Sequence, residues 1–292
     1  MTKKLKIIVL AKQVPDTRNV GKDAMKADGT VNRAVLPAIF NPEDLNALEM
    51  ALRVKDKNPN AEITVLTMGP GRAAEIIREG LYRGADRGFL LTDRKFAGSD
   101  TLATSYAISC AVKKLGEFDL IFGGRQAIDG DTAQVGPQAA EKLGIPQITY
   151  AEETLEVTNN SITVKRRLER GTETVKATFP VLITVTGSAA DCRARNAKFV
   201  MKYKHARTIS ELADAAEDYI ALKTKRPYLQ IDELSVADVQ ADDTFLGLSG
   251  SPTKVKAIEN VVFIAKDAKV LSNANEEIEE LMKELIANHT IG

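Results

Sequence analysis

The densest chemistry in the chain lies in residues 123–137, GGRQAIDGDTAQVGP. Glycines there allow the backbone to approach a ligand closely, and the free N–H groups of a helix start attract anions. Thr132 and Gln134 offer further donors, so the set suits a nucleotide phosphate. Asp129 and Asp131 run against that reading, because a bare carboxylate repels phosphate. They fit if they cap backbone N–H groups or face a ribose. The plain alternative is a tight strand-to-helix turn with Asp131 as its N-cap. The stretch matches neither G-x-G-x-x-G nor a Walker A sequence, so standard dinucleotide and P-loop chemistry are unsupported. Two shorter polar loops follow apolar runs in the same way, KQVPD at 12–16 and MGP at 68–70. Their plain readings are a solvated charge for Lys12 and core packing for Met68.

Other chemistries are excluded by composition. Two cysteines (Cys110, Cys192) and two histidines (His205, His289) cannot supply spaced zinc ligands. Both histidines lie in polar C-terminal stretches, which is poor ground for a nucleophile–base pair. The lack of a disulfide framework points to a reducing, cytoplasmic setting. Lys plus Arg and Asp plus Glu are each 40, so a broad basic surface for nucleic acid is not expected. The run 192–207 has six Lys/Arg and no Asp/Glu, and reads as a solvated arm or a docking strip for an acidic partner. Aromatics are 5% and Trp is absent, against both a base-stacking platform and membrane-interface belts. No apolar run approaches the roughly 18 residues of a membrane span, and Lys12 ends the first one too early for a signal peptide.

These loops need strands and helices to carry them. Strands are predicted over 6–11, 62–68, 88–92 and 119–122, and helices over 42–55, 73–81, 100–115 and 132–143. In the first helix Leu45, Leu48 and Leu52 fall on one face, with Asn41 as N-cap and Pro42 at N1. Alternation of this kind implies βαβ units and a parallel sheet covered on both faces. Ligands in such sheets bind beyond the carboxyl ends of the strands, which would bring all three polar loops to one edge. After Tyr150 the pattern changes to strands at 155–158, 161–167, 172–178 and 181–186, the first two joined at an Asn159-Asn160 turn. The expected fold is therefore an α/β, parallel-sheet, Rossmann-like core with a small antiparallel section over residues 1–187. Residues 188–292 read as an extended arm, polar and weakly periodic, closed by an amphipathic helix at 275–289. That helix places Ile278, Leu281, Met282, Leu285 and Ile286 on one face. A long stretch with so little core is either disordered or lies on another surface.

Taken together, the motifs resemble the beta subunits of electron-transfer flavoproteins. The stretches that carry the likeness are VLAKQVPDT near the start, NPEDLNALEMAL at 41, MGPGRAAEIIREGLYRGADRGFLLTD at 68, GSDTLATSYAIS at 98 and GGRQAIDGDTAQVGPQAAEKLGIPQITYA at 123. The resemblance implies an adenine-nucleotide fold with a C-terminal arm wrapped on an alpha subunit that carries a flavin. In one branch of the family the beta subunit holds only AMP, as a structural ligand. In the other it holds FAD that takes a hydride from NADH, sends one electron to ferredoxin or flavodoxin and passes the other through the alpha flavin to an acyl-CoA or other dehydrogenase. The KQVPD and GDTAQVGP forms are similar to this second, electron-bifurcating branch.

Carried over by position, the resemblance puts Leu10 and Met68 in an adenine pocket and Asn41 at a nucleotide contact. It puts Gln126, Asp129, Gly130, Asp131, Thr132, Ala133, Gln134 and Val135 on the phosphate loop, and Val14, Pro15 and Asp16 near the flavin ring. One departure concerns residues 190–194, ADCRA, where dehydrogenase-contacting members place a leucine; its absence implies a different, fused or permanent dehydrogenase partner. A stand-alone adenine-nucleotide sensor would instead want a G-x2-G-x9-G-[ST] loop, which the chain lacks.

Overall fold

The computed structural model describes residues 4–16, 37–213, 224–253, 270–272, 274–288 and 290–291. Its strands begin with β1 (Lys6–Ala11), β2 (Gln13–Pro15), β3 (Ala38–Phe40), β4 (Glu62–Met68), β5 (Arg87–Leu91) and β6 (Leu120–Gly124). They continue with β7 (Gln147–Val157), β8 (Ser161–Leu168), β9 (Gly171–Thr178), β10 (Val181–Val185) and β11 (Asp232–Leu234). The helices used below are α1 (Pro42–Lys57), α2 (Ala74–Arg83), α3 (Thr101–Leu115), α4 (Val135–Leu143) and α5 (Ala197–Tyr203).

One sheet of nine strands runs in the order β11-β5-β4-β1-β6-β10-β7-β8-β9. It is parallel from β11 through β7, while β7, β8 and β9 pair antiparallel. The chain is thus an α/β, Rossmann-like domain with the small antiparallel section its sequence suggests. β7 starts at Gln147, earlier than the predicted 155, because its first residues pair with β10 before the later ones pair with β8.

Side chains alternate between the two faces of the sheet, as the pleat requires. Ile7, Val9, Ile63 and Val65 meet Leu48, Ala51, Ile76 and Ile77 of α1 and α2 on one face. Ile8, Leu66 and Ile121 meet Ala107, Ala111, Ala139 and Ala140 of α3 and α4 on the other. Each fully buried Leu or Ile contributes about 1.5–3 kcal/mol. α3 starts where expected, because Asp100 Oδ1 accepts hydrogen bonds from the N–H groups of Leu102 and Ala103 at 2.9 and 3.0 Å, a cap worth ~1 kcal/mol.

The polar stretch after Gly187 carries short apolar clusters that pack on this same core. Tyr203, Ala206, Leu229 and Ile231 join the α1/α2 face. Leu234, Val236, Val239 and Leu246 join the α3/α4 face, and β11 extends the sheet beside β5. Each cluster is too short to show a 2 or a 3.6 period, so no periodic signal announces it. The amphipathic helix forms over Asn275–Ala287, with Ile278, Met282 and Ile286 exposed. No helix among the described residues is long and apolar enough to cross a membrane.

Candidate functional site

Because β1 pairs in parallel with β4 and β6, the loops after Ala11, Met68 and Gly124 leave the sheet at one edge. The β2–β3 ribbon lies at the start of α1, with Val14 opposite Ile39 and Pro15 opposite Ala38. Val14 and Asp16 are buried there, Pro15 is half-buried, and the Asp16 N–H donates to the Pro37 carbonyl.

The first turn of α1 tethers two of these loops. Asn41 is fully buried, and its side chain caps no helix N–H. Instead its Nδ2 donates to the Gln126 carbonyl at 2.9 Å and its Oδ1 accepts from the Ile128 N–H at 3.2 Å. Glu43 accepts from Arg125 Nη2 at 3.0 Å and from the Gln126 N–H at 2.9 Å. Asp44 accepts from the Lys12 N–H at 2.8 Å and the Gly124 N–H at 2.9 Å. Position 124 must be glycine: a Cβ there would lie 2.4 Å from Asp44 Oδ1 and 2.8 Å from backbone. Burial pushes the Asp44 carboxyl up to about 7, against the lowering effect of those N–H groups, of the Asn41 side chain and of the Lys12 charge. The roles of Glu43 and Asp44 are not legible in the sequence. Two acids just after Asn-Pro read there as ordinary complements to the helix dipole.

The loop itself has the backbone geometry of an anion-binding concavity. Asp131 and Ala133 have φ of 52° and 53°, left-handed conformations that cost a non-glycine residue roughly 1–2 kcal/mol. Ala133 is followed by right-handed Gln134, and such a change of hand turns successive N–H groups toward one side, forming an anion-binding concavity. Among the described residues, none accepts a hydrogen bond from the N–H groups of residues 132–136. For the same reason α4 begins at Val135 and not at the predicted Thr132. Asp131 is not its N-cap either; its Oδ1 accepts from Gln126 Nε2 at 2.8 Å.

Both troublesome carboxylates are therefore engaged. Asp129 pairs with Lys12 Nζ at 2.7 and 2.9 Å, so Lys12 is more than a solvated charge. Gln134 Oε1 accepts from Thr101 Oγ1 at 2.9 Å. Thr132 and Gly130 are exposed, and a Cβ at Gly130 would meet nothing within 4 Å. Leu10, Met68 and Val135 lie partly buried against the α3/α4 core, on the same side of the sheet. The edge thus gathers Leu10, Met68, Gln126 and residues 129–135, with Asn41 and Val14 packed beneath. These residues fit a phosphate or diphosphate attached to an apolar ring.

A cavity of about 490 Å³ between α1 and β7, lined by Met50, Val54, Thr154 and Ala189 among others, shares no residue with this edge. Both cysteines are free thiols. Among the described residues no group of three or more His, Cys, Asp or Glu could hold a metal ion.

Residues 28–209 match the Electron transfer flavoprotein domain. The chain is 46% identical over 260 residues, 87% of each chain, to the electron transfer flavoprotein subunit beta of Megasphaera elsdenii. It is 40% identical over 290 residues to the acryloyl-CoA reductase electron transfer subunit gamma of Anaerotignum propionicum, covering 98% of this chain and 100% of the relative. It is also 47% identical over 189 residues, 65% of this chain and 71% of the relative, to a caffeyl-CoA reductase-Etf complex subunit of Acetobacterium woodii. With the parallel sheet and the anion loop at its edge, these matches establish that the chain belongs to the electron transfer flavoprotein beta-subunit family.

Proposed function

We propose that this chain pairs with an electron-transfer flavoprotein alpha subunit and that its loop edge holds FAD in preference to AMP. The observation that carries the reading is the open space at Gly130, where a Cβ would meet no atom within 4 Å. A diphosphate seated on the N–H groups of residues 132–136 has room there to continue toward a riboflavin; AMP ends before it. When bound, FAD supplies a hydride acceptor for NADH and a branch point between ferredoxin or flavodoxin and the alpha-subunit flavin that feeds a dehydrogenase of the acyl-CoA type.

This chain's own residues bind and orient. Leu10 and Met68 receive the adenine, Thr132 and the loop N–H groups hold the diphosphate, and the Val14, Pro15 and Asp16 segment meets the far end of the ligand. Lys12 removes the repulsion that Asp129 would exert on the phosphates. No side chain is needed as a general acid or base. The relatives named as subunits of CoA-ester reductases support the choice of partner. In this reading residues 188–292 supply the arm on the alpha subunit through the helix Asn275–Ala287, whose exposed apolar residues support it, while the clusters around Leu229 and Leu246 stay on this chain's own core. The test is a cofactor count on the purified heterodimer after denaturation. Two FAD per heterodimer are expected; one FAD and one AMP would overturn the reading.

A further inference from the structure

We propose that Asp44 is the positioning residue of the nucleotide edge, holding the roots of its two principal loops on one buried carboxylate. The proposal rests on the nucleotide-binding reading and adds to it a device that touches no ligand. Asp44 is 7% exposed. One oxygen takes the N–H of Gly124, where β6 gives way to the phosphate loop, and the other takes the N–H of Lys12, just past β1. Lys12 in turn holds Asp129 of the phosphate loop. The carboxylate therefore closes a ring: α1 to β1, Lys12 to Asp129, and the loop back through Gly124 to α1. Two donors on two oxygens are best met by the ionised form; protonation turns one oxygen into a hydroxyl, a weaker acceptor whose own proton competes for the space beside that N–H.

The charged groups on the surrounding elements are Lys12 beyond β1, Glu43 on α1, and Arg125 and Asp129 on the loop. They stand as two ion pairs, Lys12 with Asp129 and Arg125 with Glu43. Asp44 alone faces backbone N–H groups with both oxygens. Burial pushes its carboxyl up to about 7, so acidification through that range weakens one of the two acceptors and loosens the loop it holds. Nucleotide affinity then falls as the pH falls. The opposite sign is a physical alternative, because a bare buried carboxylate near a phosphate would make binding tighter once it is protonated.

Stability moves the other way. A raised carboxyl binds its proton more readily in the folded state, so its contribution to stability is present at low pH and lost as pH rises through about 7. A merely structural role would thus follow stability, whereas a positioning role runs against it.

The experiment is titration of the heterodimer, stripped of its beta-site nucleotide, with FAD at about pH 6 and about pH 8, alongside thermal unfolding. FAD is the probe because its diphosphate has no monoester group titrating near pH 6 as AMP does. Wild type should bind FAD about tenfold more weakly at the lower pH, the change in ionised fraction across a neutral midpoint. Asp44→Asn, which offers one acceptor and one donor, should bind weakly at both and show no pH dependence. The unliganded wild type should gain stability on acidification relative to Asp44→Asn. A wild-type affinity that is flat or tighter at about pH 6 overturns the proposal even if the variant fails to fold. Failure of wild type to bind FAD at either pH overturns the FAD reading on which the proposal rests.

Discussion

Lys12 Nζ sits 2.7 Å from Asp129 Oδ1 and ties the loop after β1 to the loop after β6. The pair is half-exposed on the lysine side, at 48%, so its worth to stability is about 0–1 kcal/mol. Its consequence lies in the field at the anion loop. With Lys12 in place, the carboxylate beside the free N–H groups is neutralised; without it, a phosphate meets a bare negative charge.

Lys12→Met should therefore weaken FAD or AMP binding about three- to tenfold, roughly 0.7–1.4 kcal/mol, while moving the melting temperature little. Adding Asp129→Asn should restore most of the affinity. Isothermal titration of the single and double variants decides it. A double variant no better than Lys12→Met would show that the lysine acts by touching the ligand directly.

Gly130 gives the sharpest separation between the two nucleotides. It has no left-handed φ and open space around its Cβ position, so Gly130→Trp should leave the fold and melting temperature of the heterodimer unchanged. The indole would fill the path beyond the first phosphate. The variant complex should retain its alpha-subunit flavin and lose the beta one, counted by released flavin per heterodimer. Retention of both flavins would mean that the ligand leaves the loop on another side.

Much of this was legible in residue spacing. The β-branched run KIIVLA and the leucine face of α1 are strong local signals, and they fix which loops share an edge. Residues 132–134 were not legible as loop, because nothing in Thr-Ala-Gln announces the left-handed Ala133 that delays α4. Nor was the tether. Asn41 and Asp44 read as helix-start residues by type, and only the tertiary approach of β6 assigns their side chains to Gln126 and Gly124. The clusters around Leu229 and Leu246 escaped because each is too short to show a period.

Cys192 should be a poor nucleophile. Burial pushes its thiol up to about 11, so at about pH 8 its thiolate fraction falls some two orders of magnitude below that of a free cysteine. Disulfide-exchange labelling of the native complex should modify it correspondingly slowly, and, on the proposed reading, Cys192→Ser should leave flavin reduction by NADH intact. Rapid labelling at Cys192 in the folded complex would contradict this.

Arg193 fastens the loop at 189–193 to α1. Its guanidinium reaches Glu49 Oε2 at 2.9 Å and Asp56 Oδ2 at 2.7 Å, and its N–H donates to Glu49 at 3.1 Å. Asn46 holds the same loop through the carbonyls of Ala189 and Ala190. Arg195 pairs with Glu79, so part of the basic run is satisfied within the domain and does not wait for an acidic partner. Glu49 is 4% exposed. Burial works to raise its carboxyl, but the hydrogen bonds and charge of Arg193, together with Arg53, outweigh it and hold the group below its ordinary 4.5. Asp56 is lowered chiefly by its hydrogen bond to Arg193. Arg193→Ala leaves Glu49 buried with only Arg53, and should cost about 3 kcal/mol, the low end for breaking a buried pair. That corresponds to a drop of roughly 6–12 °C in melting temperature. The sign with pH follows from lowered carboxyls: their stabilisation is present above the ordinary carboxylate range and is lost as pH falls through the depressed folded values. The gap between wild type and Arg193→Ala should thus be full at neutral pH and shrink below about pH 4. Thermal unfolding of both proteins across that range measures it, and a gap that stays constant into acid would show that the loop is held by packing and not by the Arg193 ion pairs.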